Sequence, residues 1–404
     1  MKIAVIGQSG GPTSAINATL AGVISGCLSE GFDKIYGMRN GVEGFLNEEL
    51  IDLKEYFDSP ECAALEALSH TPAAALGSCR KKINSDEICE KMFEIFEKYS
   101  VNYFFYIGGN DSMDAVSKLT DYAKRHGKSG VHFIGVPKTI DNDLVLTDHT
   151  PGFGSAAKYI ATSCQELVRD CAVYKVPAVT IIEIMGRDAG WLTTSSALTK
   201  EICGEGIDLI YLPETAFNKD KFIDDINSLL ASGDKPYVLI AVSEGIRDKD
   251  GRYVAEDAMS GAVDSFGHKY LAGTGKYLEN LVRERIGCKV RSIELNLLQR
   301  CASHVASKRD IDESRLVGRS AVEFASRDGL SGVMAAFVRD GDYHVSVVPK
   351  DVCEIANKVK CVPPEFINDE ENGVTAECIR YLLPLIQGEL DIKYENGIPV
   401  HFKF

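Results

Sequence analysis

Several features that mark other protein classes are missing from this 404-residue sequence. No apolar run approaches the ~20 residues that a membrane-spanning helix needs, so we expect no membrane partner. The 12 cysteines and 8 histidines are scattered, without a Cys-x-x-Cys pair or the spacing of a zinc site. The first residues resemble a strand rather than a signal peptide. We therefore expect reduced thiols and a cytoplasmic location.

Positive charge is also scarce. The sequence has 44 Lys and Arg residues against 59 Asp and Glu residues, which gives a formal net charge of −15 at pH 7. We expect no nucleic-acid partner, because binding to phosphate backbones needs a broad basic surface. An acidic protein that handles an anionic substrate must gather its cations locally. The Lys and Arg residues that would mark such a binding site are therefore those at the ends of strands.

The residues that are present favour a layered fold. Hydrophobic residues make up 45% of the sequence, enough for large cores, and the length is typical of two or three domains. Segments rich in Val and Ile alternate with amphipathic segments, which predicts an α/β fold with mainly parallel sheets. The main predicted strands are 3–6, 101–107, 131–136, 178–184, 208–212, 237–242 and 289–295. The main predicted helices are 113–126, 155–170, 271–286 and 375–387, and a hairpin is predicted within 332–348.

The predicted strand at 131–136 runs directly into a stretch that concentrates reactive groups. Lys138, Asp141 and Asp143 follow it closely. In open α/β sheets, binding sites form beyond the carboxyl ends of the strands. A cation and two carboxylates there can handle a phosphoryl group, a metal and a hydroxyl proton together. An Asx-rich turn that caps the next helix would use the same residues, so the spacing alone leaves both interpretations open.

Two glycine-rich turns follow other predicted strands. Gly10 and Gly11 precede one helix, and Gly109 precedes Asn110 and Asp111 near the start of another. Glycines let the backbone approach an anion, and helix N-termini attract one. The spacing matches neither the P-loop nor the dinucleotide motif, and tight turns often bind nothing. A carboxylate repels an anion, so helix capping is the alternative role for Asp111.

Polar residues recur in or just beyond further strands. The segment 185–187, Glu244, Arg291 and Arg300 all occupy such positions. Each of these residues alone could be an ordinary polar loop residue. Their recurrence at one strand end after another is stronger evidence for a binding site. The three cations at 80–82 form a charge run, which is usually a solvated surface.

Together these motifs resemble the phosphofructokinase family, from residue 1 to about residue 348. Four segments in the family's order carry the resemblance: 10–17, 108–112, 139–143 and 185–187. The resemblance implies two Rossmann-like lobes with mainly parallel sheets that face a cleft. It implies phosphoryl transfer to the 1-hydroxyl of fructose 6-phosphate, giving fructose 1,6-bisphosphate, with Mg²⁺ as cofactor. We expect a donor lobe of residues 1–150 joined by about 299–348, and a sugar-phosphate lobe of 151–298 joined by about 349–404.

The same resemblance implies a role for each motif residue. Asp141 would be the base that accepts the hydroxyl proton, and Lys138 and Asp111 would complete the catalytic group. The donor would be bound by Gly10, Gly11, Arg80 and Gly109, and the metal by Asn110 and Asp143. The sugar phosphate would be bound by Thr139, Ile140, Asp141, Met185, Gly186, Arg187, Glu244, Arg291 and Arg300. In this family a neighbouring subunit supplies one of the last two arginines, which implies a homodimer or homotetramer with shared active sites.

Two positions bear on the identity of the donor. Members that use ATP have glycine where this chain has Asp111 and Lys138. Asp111 would fill the space of a nucleotide's α-phosphate and repel it. Lys138 would add a cation beside the transferring group. Both residues resemble those of the pyrophosphate-dependent branch of the family and imply pyrophosphate as donor. The alternatives are an ATP-dependent or dual-donor enzyme, or a non-catalytic subunit that binds a sugar phosphate.

Three positions depart from the family's pattern. Asn110 replaces the usual metal-binding aspartate, so its amide oxygen would face a metal-bound water. Leu297 replaces a common histidine, and Ala178 replaces an arginine of ATP-using relatives. Other residues would then replace some of the family's contacts with the sugar phosphate. The candidates for these contacts are Lys175 and the cations at 80–82.

The role of Asp141 leads to a first prediction. Asp141→Ser removes the proposed base and leaves the other binding groups in place. We expect turnover to fall by roughly 10²–10⁴-fold or more while substrate binding is largely retained. Steady-state kinetics of both proteins measure this, with circular dichroism as the control for folding. Near-normal turnover would remove Asp141 from this role.

Overall fold

A computed structural model of the chain describes residues 1–173, 175–256, 273–341 and 343–404. The strands in these ranges are β1 (Ile3–Gln8), β2 (Lys34–Met38), β3 (Leu50–Asp52), β4 (Tyr103–Gly108), β5 (His132–Pro137), β6 (Ala178–Ile184), β7 (Leu209–Tyr211), β8 (Tyr237–Ser243), β9 (Lys289–Glu294), β10 (Val333–Asp340), β11 (His344–Asp351), β12 (Tyr394–Glu395) and β13 (Ile398–Pro399). The α-helices are α1 (Ile16–Ser29), α2 (Gly41–Leu46), α3 (Ala63–Ser69), α4 (Asp86–Lys98), α5 (Asn110–Arg125), α6 (Phe153–Cys171), α7 (Trp191–Thr194), α8 (Leu198–Cys203), α9 (Lys219–Ser232), α10 (Thr274–Arg285), α11 (Leu298–Cys301), α12 (Lys308–Ser326) and α13 (Ala376–Leu382).

The strands build two large sheets. The first has the order β11-β10-β5-β4-β1-β2-β3, and the second has the order β7-β8-β6-β9. Within these sheets, only the edge pairs β2–β3 and β10–β11 are antiparallel. Strands β1 and β8 are buried along their whole length, as expected for parallel strands that are covered on both faces. The predicted α/β fold of two lobes with mainly parallel sheets is confirmed.

Each sheet has an apolar core on both of its faces. Successive side chains of a strand point to opposite faces, so Phe104 joins one core of the first lobe and Phe105 joins the other. In the second lobe, Ile181 and Ile182 divide in the same way. Burying a side chain of this size contributes about 1.5–3 kcal/mol. The cores thereby fix the strand ends from which the connecting loops begin.

The chain passes between the lobes more than once. The first sheet takes its strands from residues 3–137 and 333–351, and the second from residues 178–294. Near the end of the chain, Phe402 stacks on Phe57 of the first lobe with ring centroids 5.5 Å apart. The exact lobe boundaries remain a prediction.

Local elements differ from the sequence prediction in a few places. Helix α5 begins at Asn110 rather than at Met113, so the polar residues that follow Gly109 lie in its first turn. The helix predicted at 375–387 ends early and continues as a 3₁₀ turn, because Pro384 has no backbone N–H for the α-helical pattern. Two residues of the helix predicted at 271–286 lie outside the described residues.

No helix in the described ranges has the length and apolar character needed to cross a membrane. The 12 cysteines are free thiols, as predicted. Burial raises the pKa of Cys27 and of Cys164, so these thiols are inert parts of the core.

A buried charge network links the loop after β5 to α12. His149 is 2% exposed, and its Nδ1 and Nε2 lie 2.9 Å from Asp148 Oδ1 and 2.9 Å from Glu313 Oε2. Burial opposes the charged imidazole, but the two carboxylates outweigh it and raise the pKa of His149. Arg339 pairs with Asp148, and the histidine acts electrostatically on the buried Asp310. The network anchors the loop that leaves the first sheet.

The raised pKa of His149 predicts a pH-dependent stability. Its protonation stabilises the fold below the unfolded pKa of about 6.5, and this contribution is lost as pH rises through the folded pKa. We expect His149→Gln to destabilise the protein by roughly 3 kcal/mol at pH 6 and by less at pH 9. The Tm of both proteins at both pH values measures this, with His344→Gln at an exposed position as control. An equal loss at pH 6 and pH 9 would contradict a charged imidazole.

Candidate active site

A cleft of about 300 Å³ lies where carboxyl ends of strands from the two sheets meet. The first lobe supplies the loops after β1, β4 and β5, and the second lobe supplies those after β6 and β8. Most residues predicted from the sequence line it: Gly10, Gly11, Arg80, Gly109, Asn110, Asp111, Lys138, Thr139, Asp141, Asp143, Met185, Arg187, Glu244 and Arg300. Sequence reasoning missed four further lining residues: Ser9, Ser112, Asp188 and Ala189.

The turn after β5 is held by hydrogen bonds between side chains and backbone. The Asp141 N–H donates to Thr139 Oγ1 at 3.1 Å, and that hydroxyl lies 3.3 Å from Asp141 Oδ2, to which it donates. Thr150 Oγ1 donates to the Thr139 carbonyl at 2.7 Å. Asn142 has a φ of 54°, a left-handed conformation that asparagine tolerates. These bonds fix the Asp141 carboxylate at the lining of the cleft.

Lys138 and Asp141 belong to the same turn, where Lys138 is buried and Asp141 is half-buried and lines the cleft. Lys138 is 3% exposed, and its Nζ donates to the Gly11 carbonyl at 2.6 Å. Burial lowers the pKa of Lys138 to about 8, although the charge of Asp141 opposes the shift. Burial likewise raises the pKa of Asp141, and Lys138 opposes that change. The raised pKa makes Asp141 a stronger base, and a desolvated ammonium acts on a nearby anion more strongly than in water.

The glycine loop after β1 lies directly against two cations. Gly10 has a φ of 76°, and a Cβ there would lie 3.3 Å from Lys138 Nζ. A Cβ on Gly11 would lie 3.1 Å from Arg300 Nη1. Side chains at these positions would press on both cations, which explains why glycine occupies them. The loop and the two cations form a surface that favours an anion.

The first turn of α5 lines another side of the cleft. Asp111 Oδ1 lies 3.4 Å from Lys82 Nζ, which balances part of its charge. The Asn110 amide is engaged elsewhere, because its Nδ2 donates to the Lys358 carbonyl and its Oδ1 accepts from the Asn357 N–H. Asn110 therefore ties the tail of the chain to α5, and its contact with a metal-bound water stays a prediction.

Asp143 is the cleft residue that best suits a divalent cation. Burial, with the charge of Asp141 adding to it, raises the pKa of Asp143 to about 7. A cation there would offset both effects. Magnesium is commonly held by one or two carboxylates together with substrate phosphates. Among the described residues no group of three or more His, Cys, Asp or Glu side chains could hold a metal. The fit to a divalent cation therefore rests on the Asp143 carboxylate.

On the second lobe, the loop after β6 is locked to the loop after β8. Gly186 has a φ of 138°, and its N–H donates to Glu244 Oε1 at 3.3 Å. Burial raises the pKa of Glu244 to about 7, and Asp141 adds to the shift. Met185 and Arg187 lie on either side of this glycine and line the cleft. The loop therefore presents a fixed polar wall opposite the turn after β5.

Helix α11 brings Arg300 into the cleft. The Arg300 carbonyl accepts from Ser14 Oγ at 3.5 Å, and the neighbouring Gln299 Oε1 accepts from the Met185 N–H at 3.3 Å. The helix is thus fastened to both lobes. Burial and the nearby Arg80 lower the pKa of Arg300. Two guanidinium groups held close together favour the binding of a phosphate.

Three predicted site residues do not line the cleft. Ile140 packs into the core of the second lobe, and Gly186 acts through its backbone. Arg291 is exposed on the edge strand β9. Lys175, a candidate for a replacement contact with the sugar phosphate, is also exposed and does not line the cleft.

Sequence reasoning also missed contributions from the tail. Lys360 and Tyr381 both form hydrogen bonds with Asn142 in the turn after β5. They lie 218 and 239 residues further along the chain. No local pattern connects positions so far apart, and neither residue belongs to a motif of its own.

Comparisons with known proteins identify the family of this chain. A family model described as Phosphofructokinase matches residues 2–325. Two relatives are pyrophosphate–fructose 6-phosphate 1-phosphotransferases, one from Halomonas elongata and one from Xanthomonas campestris. Each is 40% identical to this chain, over 403 residues for the first and 401 for the second. Each match covers 97% of this chain and 93% of the relative. A crystal structure of the pyrophosphate-dependent phosphofructokinase from Marinobacter aquaeolei has a TM-score of 0.88 and 37% identity, and the match covers 100% of this chain and 96% of that one. The family predicted from the four sequence motifs is confirmed: the chain belongs to the phosphofructokinase family.

Proposed function

We propose that this enzyme transfers a phosphoryl group reversibly from pyrophosphate to the 1-hydroxyl of fructose 6-phosphate, giving fructose 1,6-bisphosphate and phosphate. The observation that carries the proposal is the buried Lys138 ammonium, which is held against the glycine loop of the cleft, while Asp141 of the same turn lines that cleft. The curated relatives described above carry the name of this activity, in agreement with the sequence prediction. The reaction places the enzyme in glycolysis, which the cytoplasmic location expected from the sequence would suit.

In the forward direction, Asp141 accepts the proton of the 1-hydroxyl while the sugar oxygen attacks the phosphorus. Thr139 orients the carboxylate, and burial raises its pKa towards that of an effective base. Phosphoryl transfer leaves little covalent work for the protein, so positioning and charge supply most of the catalysis. The turn after β5 provides both in one short segment.

On the donor side, Lys138 stabilises the negative charge of the transferred group. Its contact with the Gly11 carbonyl places the ammonium before any donor binds, so no reorganisation is needed during the reaction. A divalent cation such as Mg²⁺ would screen the charges between the donor phosphates. Asp143 would hold that cation together with phosphate oxygens, and Asn110 would contact it through water. Asp111 would occupy the space of a nucleotide's α-phosphate.

One observation favours a second candidate, an enzyme that also uses ATP. A second cleft of about 720 Å³ adjoins the first and shares Gly10 and Arg80 with it. Arg80, Lys81 and Lys82 all line this cleft. It leaves room for a donor longer than pyrophosphate, and Lys82 balances part of the charge of Asp111. Donor choice is therefore the property to measure.

The donor prediction compares four proteins: wild type, Asp111→Gly, Lys138→Gly and the double variant. We expect wild type to use pyrophosphate only. Asp111→Gly should admit ATP and reduce pyrophosphate turnover moderately, whereas Lys138→Gly should lower pyrophosphate turnover about 10²-fold or more. The double variant should shift towards ATP, with non-additive effects because both residues act on one phosphate chain. The measurement is kcat/KM for both donors; ATP use by wild type would establish the dual-donor alternative.

The sugar phosphate would be bound between the lobes, by Arg300 of one subunit and Arg291 of a neighbour. Arg300 lines the cleft, whereas Arg291 is exposed on an edge strand, where it can reach a second copy of the chain. The active enzyme would then be a homodimer or homotetramer. In this arrangement residues 1–150 with about 299–348 form the donor lobe, and residues 151–298 with about 349–404 form the sugar-phosphate lobe.

The arginine pair gives a prediction that depends on assembly. Arg300→Ala and Arg291→Ala should each raise the KM for fructose 6-phosphate far more than the KM for pyrophosphate, since each removes a charge-assisted contact with the 6-phosphate. Mixing the two variants should restore activity at low fructose 6-phosphate concentration, because hybrid dimers contain one complete site. Equal effects on both KM values would remove the arginines from the sugar site.

A further inference from the structure

A short segment of the tail, residues 357–362, joins both lobes beside the cleft, and we call it the tail strap. At one end, the Asn110 amide binds the backbone of Asn357 and Lys358, which ties the strap to α5. At the other end, the Val362 N–H donates to Glu214 Oε1 at 2.8 Å in the second lobe. The strap therefore bridges the two halves of the structure that must meet for phosphoryl transfer.

Lys360 lies in the middle of the tail strap and contacts the loop after β5. Its N–H donates to the Asp143 carbonyl at 2.7 Å. Its Nζ lies 3.4 Å from Asn142 Oδ1, 3.1 Å from the Thr147 carbonyl and 2.8 Å from the Asp148 carbonyl. These three acceptors match the three donors of an ammonium. The side chain thus secures both the turn and the loop that leads away from it.

The charge of Lys360 also acts on the acidic residues of this loop. Burial lowers the pKa of Lys360 to about 8, and the charges of Asp148 and Asp143 oppose the shift. Electrostatic interaction with Asp143 is stronger here than in water, because the groups are desolvated. Lys360 does not line the cleft, so any effect on the reaction passes through the loop.

We propose that Lys360 is a positioning residue for phosphoryl transfer: it fixes the left-handed turn at Asn142 between Asp141 and Asp143 and supplies a positive charge beneath Asp143. This inference rests on the proposed function, because it concerns the same site. Tyr381 supports the turn from the other side, where its hydroxyl accepts from Asn142 Nδ2 at 2.8 Å. Removing Lys360 would release the turn but leave the glycine loop and Arg300 in place.

The test is Lys360→Met, which removes the ammonium and keeps a long side chain. A small displacement of catalytic groups can lower turnover about 10²-fold. We expect kcat to fall 10- to 100-fold with both KM values within threefold of wild type, because the glycine loop and Arg300 still bind the substrates. Lys358→Met is the matched control, since Lys358 is an exposed lysine of the same strap and should keep wild-type kinetics. Lys360→Arg should restore part of kcat.

The outcomes separate this inference from the proposed function. Wild-type turnover with pyrophosphate is measured first, and its absence would count against the function itself. With an active wild type, a kcat within twofold in Lys360→Met, or a raised KM with unchanged kcat, would overturn the positioning role. If Lys360→Met does not fold, Lys360→Gln keeps two N–H donors without the charge. That variant should show a smaller fall in kcat with both KM values unchanged, and an unchanged kcat there would also overturn the role.

Discussion

The active site depends on one costly arrangement: the burial of Lys138 beside Asp141. Removing an ion from water carries a penalty of several kcal/mol, which a structure sustains only when partners are fixed in place. Here the Gly11 carbonyl accepts from the ammonium and Thr139 holds the carboxylate. Burial lowers the pKa of Lys138 and raises the pKa of Asp141, and the mutual attraction of the two charges opposes both shifts. In the proposed mechanism, Asp141 is the base and Lys138 is the cation that acts on the transferred group.

Two independent lobes are needed to build this arrangement. The turn after β5 belongs to the first sheet, while Glu244 and Arg187 come from the ends of strands in the second. Arg300 is fastened to both, through Ser14 on one side and Gln299 on the other. In a chain with a net charge of −15, four cations line this one cleft: Arg80, Lys138, Arg187 and Arg300. Local positive charge in an acidic protein favours small phosphorylated ligands over nucleic acid.

The fold and most of the cleft were predictable because parallel strands present their carboxyl ends at one edge, so motifs such as the segments at 108–112 and 139–143 had to converge. Three features were not predictable. The engagement of Asn110 by the tail, and the contacts of Lys360 and Tyr381 with Asn142, join residues more than 200 positions apart that share no motif. Whether Arg291 reaches a cleft depends on a neighbouring subunit, which the pattern of a single chain does not describe.

The reverse reaction tests the central claim most directly. Wild-type enzyme with fructose 1,6-bisphosphate, inorganic phosphate and Mg²⁺, and without any nucleotide, is followed by ³¹P NMR. The account predicts that a pyrophosphate resonance and fructose 6-phosphate appear together, and that ADP in place of phosphate gives no ATP. Formation of ATP from ADP, with no pyrophosphate in the nucleotide-free reaction, would contradict it.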